Sequence, residues 1–438
     1  MKLPAIGIRR EDINRWERRA PLTPAEVARL ARDVGLAVMV QPSDIRVFDD
    51  EAYARAGATI AEDLGPCDVI FGIKEVPPRV ILRDMVYVFF AHVVKGQAAN
   101  MPMLARLVER GCSLVDYERI VDEEGRRLTF FGPFAGRAGM IDSLWALGKR
   151  LAWERRETPF AALKAAWQYD DLGSARLAVR AVGERIAMGG VGAGLAPLIV
   201  GLAGYGNVSR GAQEILDLLP TREIAPADVA EVALSREPSG KVVFKVVFKE
   251  EHMVRRRVPG GAFDLQEYYD YPGRYEPVLS DYLPYLTVLV NAIYWDRRYP
   301  HFVSIRDLVS LYGGAEGPRL RVIGDISCDV VGAIEATVKV TTPDAPVFVY
   351  DVKRDATVDG VAGTGPVILA VYNLPAELPR DASEFFAKQL EPLVPAFARA
   401  NWASSFEACE LPPSIKGATV LYRGEFTPPY QYLDAYLS

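Results

Sequence analysis

Histidine is almost missing from this 438-residue chain; there are three, and none is near another. That scarcity excludes a histidine-built metal centre, and no metal is expected. Cysteine is nearly as rare. Cys67, Cys112, Cys328 and Cys409 are scattered without a C-x-x-C pair, which excludes a zinc ribbon or redox dithiol and suits reduced thiols. No apolar run approaches the ~20 residues of a membrane span, so no membrane partner is expected. The head of the chain, MKLPAIGIRRE, passes straight into a strand pattern without a signal or transit segment, which makes the cytoplasm the expected location. Neither sign of charge dominates. With 51 basic and 57 acidic residues, a net charge of −6 and the signs interspersed, nucleic acid is not an expected partner.

What is present is a large store of apolar sequence. Half the residues are hydrophobic, enough for a sizeable core and for two domains. Residues 1–120 read as repeated strand–helix units. Strand patterns at 36–41, 68–74, 86–92 and 112–118 alternate with helices at Pro24–Val34, Glu51–Ala58 and Met101–Arg110. Thr23-Pro24-Ala25-Glu26 supplies a capping box with proline at the first helical position. Short, nearly unbroken apolar runs suit parallel strands covered on both faces. Residues 135–187 are mostly helical in pattern, and 287–295 and 319–327 are further buried strands. The segment 241–261, KVVFKVVFKEEHMVRRRVPGG, reads as a β-excursion added to the second domain, with Arg255-Arg256-Arg257 as a solvated loop. A helix is expected over Ser383–Arg399.

The most informative stretch is LIVGLAGYGNVSRGAQEIL, residues 198–216. An apolar strand meets the turn Gly204-Tyr205-Gly206, and a helical pattern opens at Val208. In that context glycines let a dinucleotide pyrophosphate sit on a helix N-terminus. Ser209 stands where a third glycine is usual, and Gly211 follows two residues later. The glycines of 189–194, GGVGAG, have no strand before them and read as a loop. Because the nucleotide motif lies near mid-chain, the preceding domain must supply the chemistry.

Three islands in that first domain carry polar groups at strand and helix ends. Glu17-Arg18-Arg19 precedes a helix, and arginine suits bidentate carboxylate binding. Lys74 ends the apolar run DVIFGIK, where desolvation favours a neutral amine while the adjoining Glu75 opposes it. His92 ends VYVFFAH and is followed by Lys95. Lysine and histidine on successive strand ends, beside a nucleotide domain, resemble an acid–base pair near a hydride donor. Glu118 falls at a third strand end.

These islands occur in order with Phe131-Gly132, Ala135-Gly136-Arg137-Ala138-Gly139, Gly204–Ser209, Asn291-Ala292-Ile293-Tyr294-Trp295, Asp325-Ile326-Ser327-Cys328-Asp329 and Asn373-Leu374-Pro375-Ala376-Glu377-Leu378-Pro379. Taken together they resemble the lysine–ketoglutarate reductase, saccharopine-forming half of aminoadipic semialdehyde synthase. More distantly they resemble the wider saccharopine dehydrogenase and alanine dehydrogenase superfamily. The resemblance implies an α/β fold of two Rossmann-like domains with parallel sheets and an interdomain active-site cleft. The substrate domain would cover 1–134, completed by 346–438, and the dinucleotide-binding domain 135–345. By motif match Lys74 and His92 take the acid–base positions and Arg19 the substrate-carboxylate position, with Glu75, Lys95 and Glu118 on neighbouring polar positions. Gly204, Tyr205, Gly206, Asn207, Val208 and Ser209, with Asn291, Asp325 and Asp329, make up the cofactor set, the two aspartates in the loop facing the nicotinamide.

The implied reaction condenses L-lysine with 2-oxoglutarate and reduces the imine to saccharopine, a step of lysine degradation. NADP(H) is implied by the reductases, with NAD(H) left open, because both Arg222 and Asp228 lie near the expected ribose position. The bifunctional relatives continue into a saccharopine-oxidising enzyme, whereas this sequence stops at Ser438, so a separate protein is expected to take the product. A homo-oligomer is left open. The competing readings are an alanine-dehydrogenase-like or opine-type enzyme using another amine, and a nucleotide-binding regulatory module without turnover.

Overall fold

The computed structural model describes residues 4–258, 260–314 and 317–437. Met1–Leu3, at the head of the expected first strand, and Pro259, in the 241–261 segment, lie outside the described residues. The chain divides into two compact units, residues 1–131 with 379–438, and residues 132–378. Each is an α/β unit built on an eight-stranded sheet among the described residues.

In the first unit the strands are β1 (Ala5–Ile8), β2 (Ala37–Val40), β3 (Thr59–Ile60), β4 (Val69–Phe71), β5 (Val86–Phe89) and β6 (Ser113–Asp116). The C-terminal segment adds β17 (Thr419–Tyr422) and β18 (Glu425–Phe426). The order is β18-β17-β6-β5-β4-β1-β2-β3. β1 to β6 are parallel, and the two C-terminal strands extend the β6 edge antiparallel. All residues of β1, β4, β5 and β6 are buried, which explains their unbroken apolar runs. Helices α1 (Pro24–Arg29), α2 (Asp50–Arg55) and α3 (Met101–Glu109) connect them. The capping box of α1 forms as expected, with Thr23 and Glu26 each bonding the other's end of the first turn. Because β2 and β3 lie on one side of β1 and β4 on the other, the strand order reverses between β1 and β4. Such a switch point leaves a crevice beyond the carboxyl ends of the strands.

The second unit opens on helices α4 (Gly132–Trp153) and α5 (Leu172–Gly189); residues 154–171 between them form short 3₁₀ turns rather than a further helix. Its strands are β7 (Leu198–Ala203), β8 (Thr221–Glu223), β9 (Val243–Phe248), β10 (Val254–Arg256), β11 (Tyr275–Pro277), β12 (Val288–Asn291), β13 (Val322–Asp325), β14 (Val347–Asp351), β15 (Ala356–Asp359) and β16 (Val367–Leu369). The main order is β15-β14-β16-β13-β12-β7-β9-β8, and β10 and β11 form a separate ribbon. Helix α6 (Asn207–Leu216) follows β7.

Three expectations need correction. Residues 346–378 belong to the second unit, because β16 pairs with β13 and β14 with β16; the return to the first unit comes at Pro379. The run KVVFKVVF is not an excursion but β9, an interior strand between β7 and β8, and only the ribbon from Val254 onward leaves the sheet. Neither sheet is purely parallel, since β14 and β15 are antiparallel extensions. No helix among the described residues is long and apolar enough to cross a membrane.

Candidate active site

Beyond β4 the chain runs on beside β5, with the Gly72 amide bonding the Val88 carbonyl at 3.0 Å and the Phe90 amide the Ile73 carbonyl at 3.0 Å. This carries Lys74 and His92 past the carboxyl ends of adjacent parallel strands. Glu11, just after β1, pins the segment across the switch point. Its carboxylate accepts the Ile73 and Lys74 amides at 2.7 and 3.0 Å. Burial pushes the Glu11 carboxyl up to about 7. Burial likewise lowers the Lys74 ammonium from its ordinary value, against Glu75, while the charge of Arg19 lowers it further. A neutral amine is thereby brought closer to hand.

His92 sits in left-handed backbone, φ 48°, a conformation uncommon outside glycine. Asn100 holds it there, its side-chain amide donating to the carbonyls of Ala91 and His92 at 3.3 and 3.0 Å. The imidazole stacks on Phe90, with centroids 6.2 Å apart, and places Nδ1 2.5 Å from Glu75 Oε1. Burial works against ionisation of Glu75, yet the hydrogen bond and charge of His92, with Lys74, hold its carboxyl below the usual range. A carboxylate on Nδ1 selects the tautomer with the proton there and leaves Nε2 to exchange protons.

Asp116 closes β6 beside this pair. It is fully buried, and burial first, then the charge of Glu118, pushes its carboxyl up to about 7. One oxygen accepts the Glu118 amide at 2.9 Å; the other has no hydrogen-bond partner among the described residues. Glu118 itself is partly exposed and pairs with Arg127 at 3.4 Å. Lys95 is exposed on the turn after His92. Glu11, Asn100 and Asp116 were not picked out from the sequence. Asp116 alone had a local signal, its place at the end of an apolar strand.

Arg19 does not present an open fork. Its Nε and Nη2 donate to Glu17 Oε1 and Oε2 at 2.8 and 2.6 Å, and both side chains are buried. The guanidinium lies 4.2 Å over the ring of Phe131, which stacks on Phe386 of the helix Pro379–Leu390 at 4.5 Å. A desolvated guanidinium needs a counter-ion, and Glu17 supplies it. The C-terminal segment thus backs the site from within the first unit.

In the second unit Gly204 has φ +98°, and a Cβ there would come within 2.9 Å of Ile293 and 3.0 Å of the Ala292 carbonyl. Gly206 is different: a Cβ would meet nothing within 4 Å. It is the N-cap of α6, without a side-chain cap, so the amides of the first turn, at Asn207 and Val208, are left for another acceptor. A cavity of about 340 Å³ lies over the turn, lined among others by Gly204, Tyr205, Gly206 and Glu250. These features fit a dinucleotide pyrophosphate. Ser209 is buried inside α6, where its hydroxyl accepts from Gln213. The close-packing duty of a third glycine falls to Gly211, where a Cβ would lie 2.0 Å from the Pro133 carbonyl, and to Gly136, 1.9 Å from that of Val208.

Asn291 and Asp325, expected in the cofactor set, are hydrogen-bonded to each other. Both are buried, and Asp325 accepts Asn291 Nδ2 at 2.8 Å, Thr337 Oγ1 at 2.6 Å and the Cys328 amide at 3.2 Å. A buried carboxyl at a strand end has to be satisfied internally, and burial pushes this one up to about 6. The pair braces β12 to β13. Asp329 is partly exposed, in a loop with left-handed backbone at Cys328 and Val331. The stretch 190–194 is a loop, as expected. Among the described residues no group of acids, cysteines or histidines could hold a metal ion.

Residues 7–138 match the family of the N-terminal domain of alanine dehydrogenase/PNT. Over 98% of its length the chain is 38% identical to alpha-aminoadipic semialdehyde synthase of Arabidopsis thaliana and 35% identical to the mitochondrial alpha-aminoadipic semialdehyde synthase of Mus musculus. It covers 41% and 48% of those proteins, so it spans less than half the length of these curated relatives. It is 29% identical, over 94% of its length and 98% of the relative's, to the NAD(+), L-lysine-forming saccharopine dehydrogenase of Neurospora crassa. Among solved structures, an L-alanine dehydrogenase shares the fold with a TM-score of 0.63, at 17% identity over 99% of this chain and 100% of that one. A transhydrogenase from Sinorhizobium meliloti follows with a TM-score of 0.52, at 14% identity over 97% and 99%.

Proposed function

From its likeness to alpha-aminoadipic semialdehyde synthase and saccharopine dehydrogenase, we propose that the chain is a member of the saccharopine dehydrogenase and alanine dehydrogenase superfamily, an oxidoreductase joining L-lysine to 2-oxoglutarate and reducing the imine to saccharopine. The observation that carries the reading is the grouping of a desolvated Lys74 with the Glu75–His92 pair beyond adjacent strand ends.

Condensation begins with loss of a proton from the substrate ε-ammonium, and a neutral Lys74 or His92 Nε2 accepts it. The freed lone pair forms the C–N bond at the ketone carbon as the C=O π bond opens, and the proton that the attached nitrogen then gives up passes to the former carbonyl oxygen. The same acid returns a proton to the carbinolamine hydroxyl, which leaves as water to give the imine. The Gly204–Gly206 turn and the first amides of α6 would hold a reduced nicotinamide dinucleotide, which would supply the hydride for the imine carbon. Glu75 keeps His92 in one tautomer throughout. Exposed Lys95 meets a substrate carboxylate, and Arg19 meets one where that carboxylate takes over from Glu17. The choice between NADPH and NADH is made at the adenosine ribose. The scattered cysteines Cys67, Cys112, Cys328 and Cys409 would stay reduced in the cytoplasm, the location we propose.

The test is nucleotide oxidation by the purified protein with 2-oxoglutarate and either L-lysine or ammonia. Consumption with lysine alone supports the proposal. Consumption with ammonia points to an alanine-dehydrogenase-like reaction, and none with either points to a binding module.

A further inference from the structure

β9, not β8, is the strand beside β7; the two run in parallel register from Leu198 opposite Val243 to Ala203 opposite Phe248. β8, with Arg222, lies at the sheet edge. In a dinucleotide fold the strand flanking the glycine-turn strand ends at the adenosine ribose, and an acid there accepts the ribose hydroxyls. The residue in that place is Glu250, two positions beyond β9 and the first residue of the short helix Glu250–Met253. Its carboxylate accepts the Tyr269 hydroxyl at 2.9 Å, and its charge acts on Tyr205 of the glycine turn. It lines the same cavity as Gly204, Tyr205 and Gly206, so the acid and the glycine turn share one site.

Four arginines of the surrounding segments are directed elsewhere. Arg255 pairs with Glu276 and Arg256 with Glu267, while Arg257 donates to the Gly273 carbonyl. Arg222 lies over the ring of Phe244. None of these four lines the cavity.

We propose that Glu250 accepts the hydroxyls of the adenosine ribose, so that the second unit takes NAD(H) in preference to NADP(H). The assignment rests on Gly204–Gly206 being a dinucleotide turn. A 2′-phosphate would set its negative charge against the carboxylate, whereas a free hydroxyl donates to it. The preference is therefore opposite to the one implied by the reductases that the sequence resembles.

Calorimetric titration of the full chain with ADP-ribose and with 2′-phospho-ADP-ribose tests this without nicotinamide, amine or oxo acid. ADP-ribose should bind on the order of tenfold more tightly or better. Glu250→Gln should narrow that ratio several-fold, while Glu251→Gln, at the exposed neighbour outside the cavity, should leave it unchanged. Thermal melts establish that both variants are folded, and Glu250→Ala provides a second reading of the ratio if the glutamine variant is not. Equal or tighter binding of the 2′-phosphorylated ligand, or an unchanged ratio in folded Glu250 variants, overturns the assignment. Binding of neither ligand overturns it together with the dinucleotide turn. A clear preference for ADP-ribose in a protein that shows no lysine-dependent turnover upholds the assignment and removes only the proposed reaction.

Discussion

Glu75 Oε1 and His92 Nδ1 lie 2.5 Å apart, joining the ends of two neighbouring strands through a histidine whose backbone is left-handed. The strain at His92 is held by Asn100, which grips the carbonyls on either side of the turn. Residues held in sparsely populated backbone regions persist where the surroundings over-determine them, and that is often at sites of chemistry. Here the strained turn delivers an imidazole to a carboxylate and leaves its second nitrogen free to exchange a proton.

His92→Gln and Lys74→Met should each lower turnover by roughly 10²–10⁴-fold, with nucleotide affinity unchanged. Glu75→Gln should do nearly as much without touching the ring, because an amide no longer dictates the tautomer. The Lys74 and His92 losses should combine to less than their product, since they act on one proton path. Steady-state kinetics of the single and double variants measure this. Wild-type turnover in the double variant would remove the pair from the mechanism.

Lys74 should cost the protein stability. Its folded pKa is lowered, chiefly by burial, so between that value and about 10.5 the unfolded chain binds more protons and wild-type stability rises with pH. Lys74→Met should therefore melt at a higher temperature than wild type at neutral pH. Its advantage should shrink as the pH approaches the ordinary lysine value. Thermal melts from neutral to alkaline pH measure this, and a methionine variant that melts lower at neutral pH contradicts it.

Arg19 and Glu17 form a buried, two-bonded ion pair. Removing one partner takes the carboxylate away from a buried guanidinium, so Glu17→Gln should lose about 3–5 kcal/mol of stability. Arg19→Lys keeps the charge but loses the planar fork. If a substrate carboxylate also uses that fork, the 2-oxo-acid KM should rise by the equivalent of about 1.5–3 kcal/mol. A lowered melting temperature with an unchanged KM would mark Arg19 as purely an internal partner of Glu17.

The glycines separate binding from folding. Gly206→Ala should fold normally, because its Cβ enters open space, yet weaken nucleotide binding where the backbone must approach the pyrophosphate. Gly204→Ala should damage the fold itself, since φ is +98° and the Cβ meets Ala292 and Ile293. Gly192→Ala should cost stability too, with φ +119° and a 2.4 Å approach to the Glu157 carbonyl, and should leave nucleotide affinity alone in the folded fraction. Calorimetric melts and nucleotide titrations on the three variants distinguish these outcomes.

A buried acid pair should make stability depend on pH. Asp142 on α4 and Glu377 are both fully buried. Burial raises the Asp142 carboxyl to about 6, while burial and then the charge of Asp142 raise Glu377 well above its ordinary value. Raised carboxyl values mean stability that is complete below the unfolded values near 4 and is lost as pH rises through about 6 and beyond. Glu377→Gln keeps the shape and gives Asp142 a neutral partner, so its melting temperature should fall less than that of wild type between pH 5 and pH 8. Identical slopes for the two proteins would show that the pair is not titrating in the fold.

Local chemistry was legible in the sequence wherever the physics is local. A strand covered on both faces is written as a short apolar run, so β4, β5, β6, β7, β12 and β13 could be read directly. A helix start needs its amides capped, which made Thr23 and Glu26 visible. A left-handed turn between strand and helix needs Gly204. Lys74 and His92 stood out because a polar group ending an apolar run must emerge beyond the end of a buried strand. Tertiary structure decided everything that depends on neighbours distant in sequence. The order of strands is set by which faces can be buried together, so only the fold placed β9 beside β7 and Glu250 in the cavity, and only the fold moved residues 346–378 into the second unit. The same holds for partners of buried charge. Glu17 takes the fork of Arg19, Glu11 pins the Lys74 segment and Thr337 satisfies Asp325, because a charge removed from water must find its partner among whatever side chains the folded chain brings within reach.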